Sequence, residues 1–238
     1  MVQNGRQYHA FKEGSYNLPN DEEEQARLNL HHHIHRMKLD GALYRSPLPA
    51  DIERVLDLGT GTGIWAIEMA DQFPKTVVVG NDLSPIHSNW VPPNLRFEVD
   101  DFEEPWIYSK PFTFIHARDL QGSVSDYGRL LQQALAHLVP GGWFEFADAD
   151  LLICGDDDTL QDARHLHETS QVVREASARV GKVMGSAKQH RQRLIDAGFV
   201  NVQEETYRVS ESLPAYVLFR KALNTCTGEM AERSKALE

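Results

Sequence analysis

The chain has 238 residues, with 24 Lys and Arg against 35 Asp and Glu, a formal net charge of -11. Hydrophobic residues make up 41% and charged residues 25%, ordinary usage for one substantial α/β domain with an extension. The acidic balance argues against nonspecific nucleic-acid binding; the 2 cysteines, Cys154 and Cys226, form no disulfide framework and point to a reducing compartment; no apolar run has membrane-spanning length or forms a signal-peptide core, so a cytoplasmic setting is expected.

Met1 to Asn20 is polar, carries Gly5, Gly14 and Pro19, and reads as an arm or lid. Asn20 or Asp21 suits a helix N-cap, with Glu22, Glu23 and Glu24 favourable in the first turn. The helix is expected to run to about Leu39, with Leu28, Ile34 and Leu39 giving part of an apolar face. It carries His31, His32, His33 and His35. His31 and His35 have the spacing to share a metal, but no matching Cys or carboxylate spacing accompanies them. Packing or a lid role is expected, with no metal. Pro47 and Pro49 mark a connector, which divides an arm and lid helix (1–50) from the main domain (51–238).

The next segment is the most informative. Arg54-Val55-Leu56-Asp57-Leu58 reads as a buried parallel strand, and Gly59-Thr60-Gly61-Thr62-Gly63 follows it. Glycine lets the backbone approach a ligand without a Cβ in the way. The helix from Ile64 then points its N-terminal amides at that ligand. The spacing is Gly-x-Gly-x-Gly, not the dinucleotide Gly-x-Gly-x-x-Gly, and Asp57 ahead of it would repel a pyrophosphate. An acid there suits a ligand with a cationic amino-acid portion.

Two further strand ends repeat the theme. Val77 to Asp82 is a strand ending in an acid, placed where a ribose-binding carboxylate belongs, with Leu83 beside it. Phe97 to Val99 leads into Asp100, Asp101 and Phe102. A carboxylate there can accept from an adenine amino group, and the ring can cover the base. Three acid-tipped strands in this order point to S-adenosylmethionine (SAM).

The alternation continues. Phe112 to Ala117 is a fourth strand, with His116 at its end where a transferred methyl would emerge and Arg118 and Asp119 on the following loop. A helix over Tyr127 to Val139 is stopped by Pro140-Gly141-Gly142, and Trp143 to Asp148 is a fifth strand. Asp156-Asp157-Asp158 lacks the remaining calcium-loop ligands and reads as a solvated turn. Helices over Thr159 to Val180 and Ala187 to Ala197 precede a sixth strand, Phe199 to Val209. Such alternation implies a parallel sheet with ligands outside the carboxyl ends of its strands.

These residues resemble class I SAM-dependent methyltransferases. Tyr16 to Leu28, His31-His32, Leu39-Asp40-Gly41, Gly61 to Ala66, Asp82 to Ile86, Trp90 to Asn94 and Glu103 to Trp106 are similar, in order, to LaeA-like fungal methyltransferases. The resemblance implies a three-layer Rossmann-like α/β fold with a helical N-terminal extension, a seven-stranded sheet, SAM as cofactor and a link to fungal secondary metabolism. It also suggests Tyr16 and Tyr44 as lid or cofactor contacts. The C-terminus departs from the pattern, because the stretch after Val209 is short and Thr225 to Glu238 carries no strand pattern. A shortened or remodelled final strand is expected, with a second copy or another protein as candidate cover for the edge.

Asp57, Gly59, Thr60, Gly61, Gly63, Asp82, Leu83, Asp100, Asp101, Phe102, His116 and Tyr44 are thus the expected cofactor contacts, and Tyr16, His32, Arg118 and Asp119 the expected substrate contacts. His116 is the candidate base. SAM needs little more than an aligned nucleophile and exclusion of water, so no triad or metal motif is required. The expected activity is methylation of a small fungal metabolite. The alternatives are a LaeA-type regulator acting through protein partners, in the nucleus if so, and a SAM-binding enzyme catalysing another reaction such as a cyclisation.

Overall fold

The computed structural model describes residues 2–225 apart from 13, 15, 89, 156–163, 183 and 211–214. The acidic run Asp156 to Asp158 and Cys226 lie outside the described residues. A hairpin of β1 (Val2–Gln3) and β2 (Arg6–Gln7) leads to α1 (Glu22–Lys38). The core follows as β3 (Arg54–Leu58), α2 (Ile64–Gln72), β4 (Val77–Asp82), β5 (Leu95–Val99), β6 (Phe112–Arg118), α3 (Tyr127–Ala136), β7 (Leu138–Gly155), α4 (Arg164–Arg179), α5 (His190–Asp196), β8 (Val200–Ser210) and β9 (Ala215–Thr225). No described helix is long and apolar enough to cross a membrane.

The seven strands order as β5-β4-β3-β6-β7-β9-β8. The first five are parallel, and β9 runs antiparallel between β7 and β8. Chain order reverses at the β3–β6 boundary, so the crevice beyond Leu58 and Arg118 is where this fold places ligands.

Both sheet faces are buried, which explains the near-continuous apolar strands. Val55, Val78 and Phe114 pack with Trp65, Ala66 and Met69 of α2 on one side. Leu56, Leu58, Val79, Ile115 and Ala117 pack with Leu130 and Leu131 of α3 and Leu194 of α5 on the other. One polar row interrupts the α2 side: Gly80, Asp57, His116 and Glu145 are successive cross-strand partners.

Several expected boundaries shift. His116 lies inside β6, which continues to Arg118. Helix α3 ends at Ala136, before the Pro-Gly-Gly run, because Leu138 already pairs with Phe112 in the sheet. Ala187–Gln189 is a 3-10 turn ahead of α5. The seventh strand is present as β9, antiparallel to both of its neighbours, where a shortened or remodelled one was expected. The outer strands of the finished sheet are β5 and β8.

Helix α1 starts as its composition predicts, with Asp21 Oδ1 accepting from the Glu24 N–H at 3.1 Å. Its buried positions are Glu24, His32 and His35, so the stripe it turns inward is mainly polar, not the apolar face of Leu28 and Ile34.

Candidate active site

A cavity of about 360 Å³ opens over the β3–β6 boundary, within the size range of small-molecule sites. The arm closes it with Tyr16, Pro19 and Asn20, and α1 contributes Leu28 and His31. Of the residues expected from sequence, Asp57, Gly59, Thr60, Gly61, Asp82, Leu83, Asp101, Phe102, His116, Tyr16, Arg118 and Asp119 line it.

The floor is the glycine turn. Gly59, Gly61 and Gly63 have φ of +63°, +57° and +78°, in the left-handed region that disfavours other residues. Gly63 caps α2 in that conformation, and a Cβ there would lie 2.3 Å from the Phe97 ring. It shapes the turn from behind and does not line the cavity. Gly61 differs, since a Cβ there would meet only Leu28 Cδ1, at 3.6 Å.

Asp82 holds the turn. Its Oδ2 accepts from the Gly61 N–H and its Oδ1 from the Ser84 N–H, each at 2.8 Å. Each oxygen keeps a further lone pair, so the carboxylate can still take two hydroxyls. Burial pushes this carboxyl above the ordinary range, against those two backbone bonds.

Asp57 sits deeper. Thr60 donates its hydroxyl to Asp57 Oδ2 at 2.6 Å, and His116 Nδ1 lies 2.7 Å from Oδ1. His116 stacks on Trp65 with ring centroids 3.8 Å apart and planes 3° from parallel. Burial lowers its pKa, opposed by Asp57. The neutral ring that gives Nδ1–H to Asp57 keeps Nε2 as an acceptor.

The rim is tied by two lysines. Lys12 of the arm donates to Asp101 Oδ2 at 3.0 Å. Lys182 donates to Glu103 Oε2 at 3.0 Å and to the Ser123 carbonyl at 2.7 Å. Phe102 is buried in the core beside Leu120, its ring edge 3.7 Å from where a Gly59 Cβ would sit.

Arg118 and Asp119 form the far wall. Arg118 Nη2 donates to His32 Nδ1 at 3.1 Å. His32 is buried behind the wall, beside Glu68, and does not line the cavity. Burial, then the Arg118 charge, brings its pKa down to about 4. Burial would raise the Asp119 carboxyl, but His35 and His31 hold it well below the usual range.

Two more expected contacts lie elsewhere. Tyr44 packs edge-on to Phe114 and tilted on Phe73, in the α2-side core. Asp100 is exposed, and its Oδ1 accepts from the Asp101 N–H at 2.8 Å. Sequence reasoning missed His31, Trp65, Ser84, Glu103, Ser123 and Lys182 as lining residues. Trp65 was legible as the first-turn aromatic beside the glycine run. Nothing local marks Lys182.

The methyltransferase domain family model matches residues 22–204. The chain belongs to this family. It is 39% identical over 206 residues to the methyltransferase pytC of Aspergillus terreus, an alignment covering 86% of this chain and 64% of pytC. It is 38% identical over 214 residues to the secondary metabolism regulator LAE1 of Cochliobolus heterostrophus, covering 87% and 70%. Among solved structures, human N-acetylserotonin methyltransferase in complex with SAM superposes with a TM-score of 0.55 at 14% identity, covering 90% of this chain and 64% of that one. The methyltransferase chain thus has the Rossmann-like fold of class I SAM-dependent enzymes, and it spans under two thirds of the length of pytC.

Proposed function

We propose that this methyltransferase domain binds SAM in the cavity over the glycine turn and transfers its methyl group to a small secondary metabolite. One observation carries the reading: the Asp82 carboxylate, fixed by Gly61 and Ser84, presents both oxygens beside a turn with no side chain at Gly61. A ribose diol fits that pair of acceptors. Family membership and the fungal relatives favour the same reading.

When bound, SAM supplies a methyl on a sulfonium that departs as a neutral thioether. The chain's residues bind, align and exclude water. Gly59, Thr60 and Gly61 bring backbone to the ligand, while Gly63 fixes the turn. Leu83 and Phe102 cover the adenosine, and Asp101 accepts from its amino group once Lys12 shares the carboxylate. Asp57 attracts the cationic amino-acid portion and sets the His116 tautomer. His116 Nε2 receives the proton of a hydroxyl or amine acceptor. Tyr16, Arg118 and Asp119 wall the acceptor side, and His32 positions Arg118 through their hydrogen bond.

The test is incubation with SAM and a fungal metabolite extract, followed by mass spectrometry for products heavier by one CH2 unit. A second reading has comparable support, because a relative of similar identity is named as a regulator. Stable capture of a defined protein partner with no methylated product favours it.

A further inference from the structure

His31 and His35 stand one turn apart on α1, and Asp119 follows β6 from 84 residues further along the chain. The three side chains converge. His35 Nε2 is 3.0 Å from Asp119 Oδ2, and His31 Nδ1 is 3.7 Å from the same oxygen. The potential ligand atoms all lie within 4.8 Å of one another. His31 and Asp119 line the cavity, and His35 is buried behind them.

A zinc-class ion sits about 2.0–2.2 Å from imidazole nitrogen and carboxylate oxygen, so its ligand atoms are roughly 3.3 Å apart. The observed spread needs only small side-chain rotations to reach that. Two imidazoles and one carboxylate suit zinc or another late first-row cation over magnesium or calcium, which favour all-oxygen sets. Three protein ligands leave at least one position open. Because His31 and Asp119 line the cavity, such a position would be reachable from it. His35 is within hydrogen-bond reach of Asp119, and His31 stands at ion-pair range, 3.7 Å from the same oxygen. The other helix histidines face elsewhere: His32 meets Arg118 and Glu68, and His33 is exposed.

We propose that His31, His35 and Asp119 form a site for a divalent transition cation of the zinc class, whose open position takes an oxygen or sulfur donor of the acceptor substrate. The metal site stands on geometry alone; the substrate donor rests on the methyl-transfer reading. Held this way, the ion also ties the lid helix α1 to the end of β6.

The experiment titrates Co2+ into chelator-treated full-length protein and reads visible d–d absorption, with Zn2+ as competitor. One equivalent should give a visible band that Zn2+ abolishes. His31→Ala and Asp119→Asn should each weaken Co2+ binding at least tenfold with the circular dichroism spectrum unchanged, and His33→Ala should bind as the parent does. No band, or equal binding by His31→Ala and the parent, overturns the site. SAM calorimetry on the same chelated sample separates the two readings. Heat from SAM without a Co2+ band overturns only the metal site, and a band without SAM heat overturns only the cofactor reading.

Discussion

Nδ1 of His116 lies 2.7 Å from Oδ1 of Asp57, a direct cross-strand pair at the point where chain order in the sheet reverses. The pair sits under the Trp65 ring and at the floor of the cavity. An acid that looked in sequence like a ligand contact therefore also fixes an imidazole.

If Nε2 is the proton acceptor, His116→Ala should lower kcat by about 100-fold or more, the usual share of a general base. SAM affinity should change little. An unchanged kcat in steady-state assays removes His116 from the chemistry.

The same burial links stability to pH. Desolvation holds the His116 pKa below its ordinary value of about 6.5. The unfolded chain therefore binds more protons between the folded and unfolded values, and stability rises with pH through that window. The contribution is fully present above about pH 6.5 and is lost on acidification toward the folded value. His32 and His35 are shifted in the same direction. Thermal melts from pH 7.5 down to 5 should show falling Tm, with a shallower slope in His116→Gln.

Gly61 and Gly63 separate binding from folding. Gly63→Ala combines a left-handed φ with a clash against Phe97, and should cost about 2–4 kcal/mol of stability. Gly61→Ala meets no clash, so its cost is about 1–2 kcal/mol. Its methyl intrudes on the cavity floor, and SAM affinity should fall while the protein stays folded. Urea unfolding and calorimetry on both variants check this.

Glu145 fastens the connector to the sheet. It is fully buried, and its Oε2 accepts from the Arg45 N–H, the Ser46 N–H and the Ser46 hydroxyl at 2.9, 2.8 and 2.7 Å. Glu145→Ala strands those donors and should cost roughly 2–4 kcal/mol in chemical denaturation.

The sequence revealed what local pattern encodes. The glycine spacing, the acids at strand tips and the strand–helix alternation located Gly59, Gly61, Asp82, Asp101 and Phe102 around one cavity. Side-chain direction was less legible. Tyr44 has the right chemistry, but packing against Phe73 and Phe114 turns it into the core. The inward stripe of α1 escaped a hydrophobicity reading, since its partners are the ionic groups Arg118, Asp119 and Glu68. The full length of β9, Ala215–Thr225, was not legible because its pairing comes from β7 and β8, which lie outside any local window.

Every role assigned to the cavity presupposes its ligand. Isothermal titration of SAM into protein stripped of bound metabolite is the direct measurement. The parent should bind one equivalent at micromolar strength, and Asp82→Ala should weaken binding by about 1–3 kcal/mol, roughly 5- to 150-fold. No heat with either SAM or its demethylated product, or equal affinity in parent and Asp82→Ala, would contradict the account.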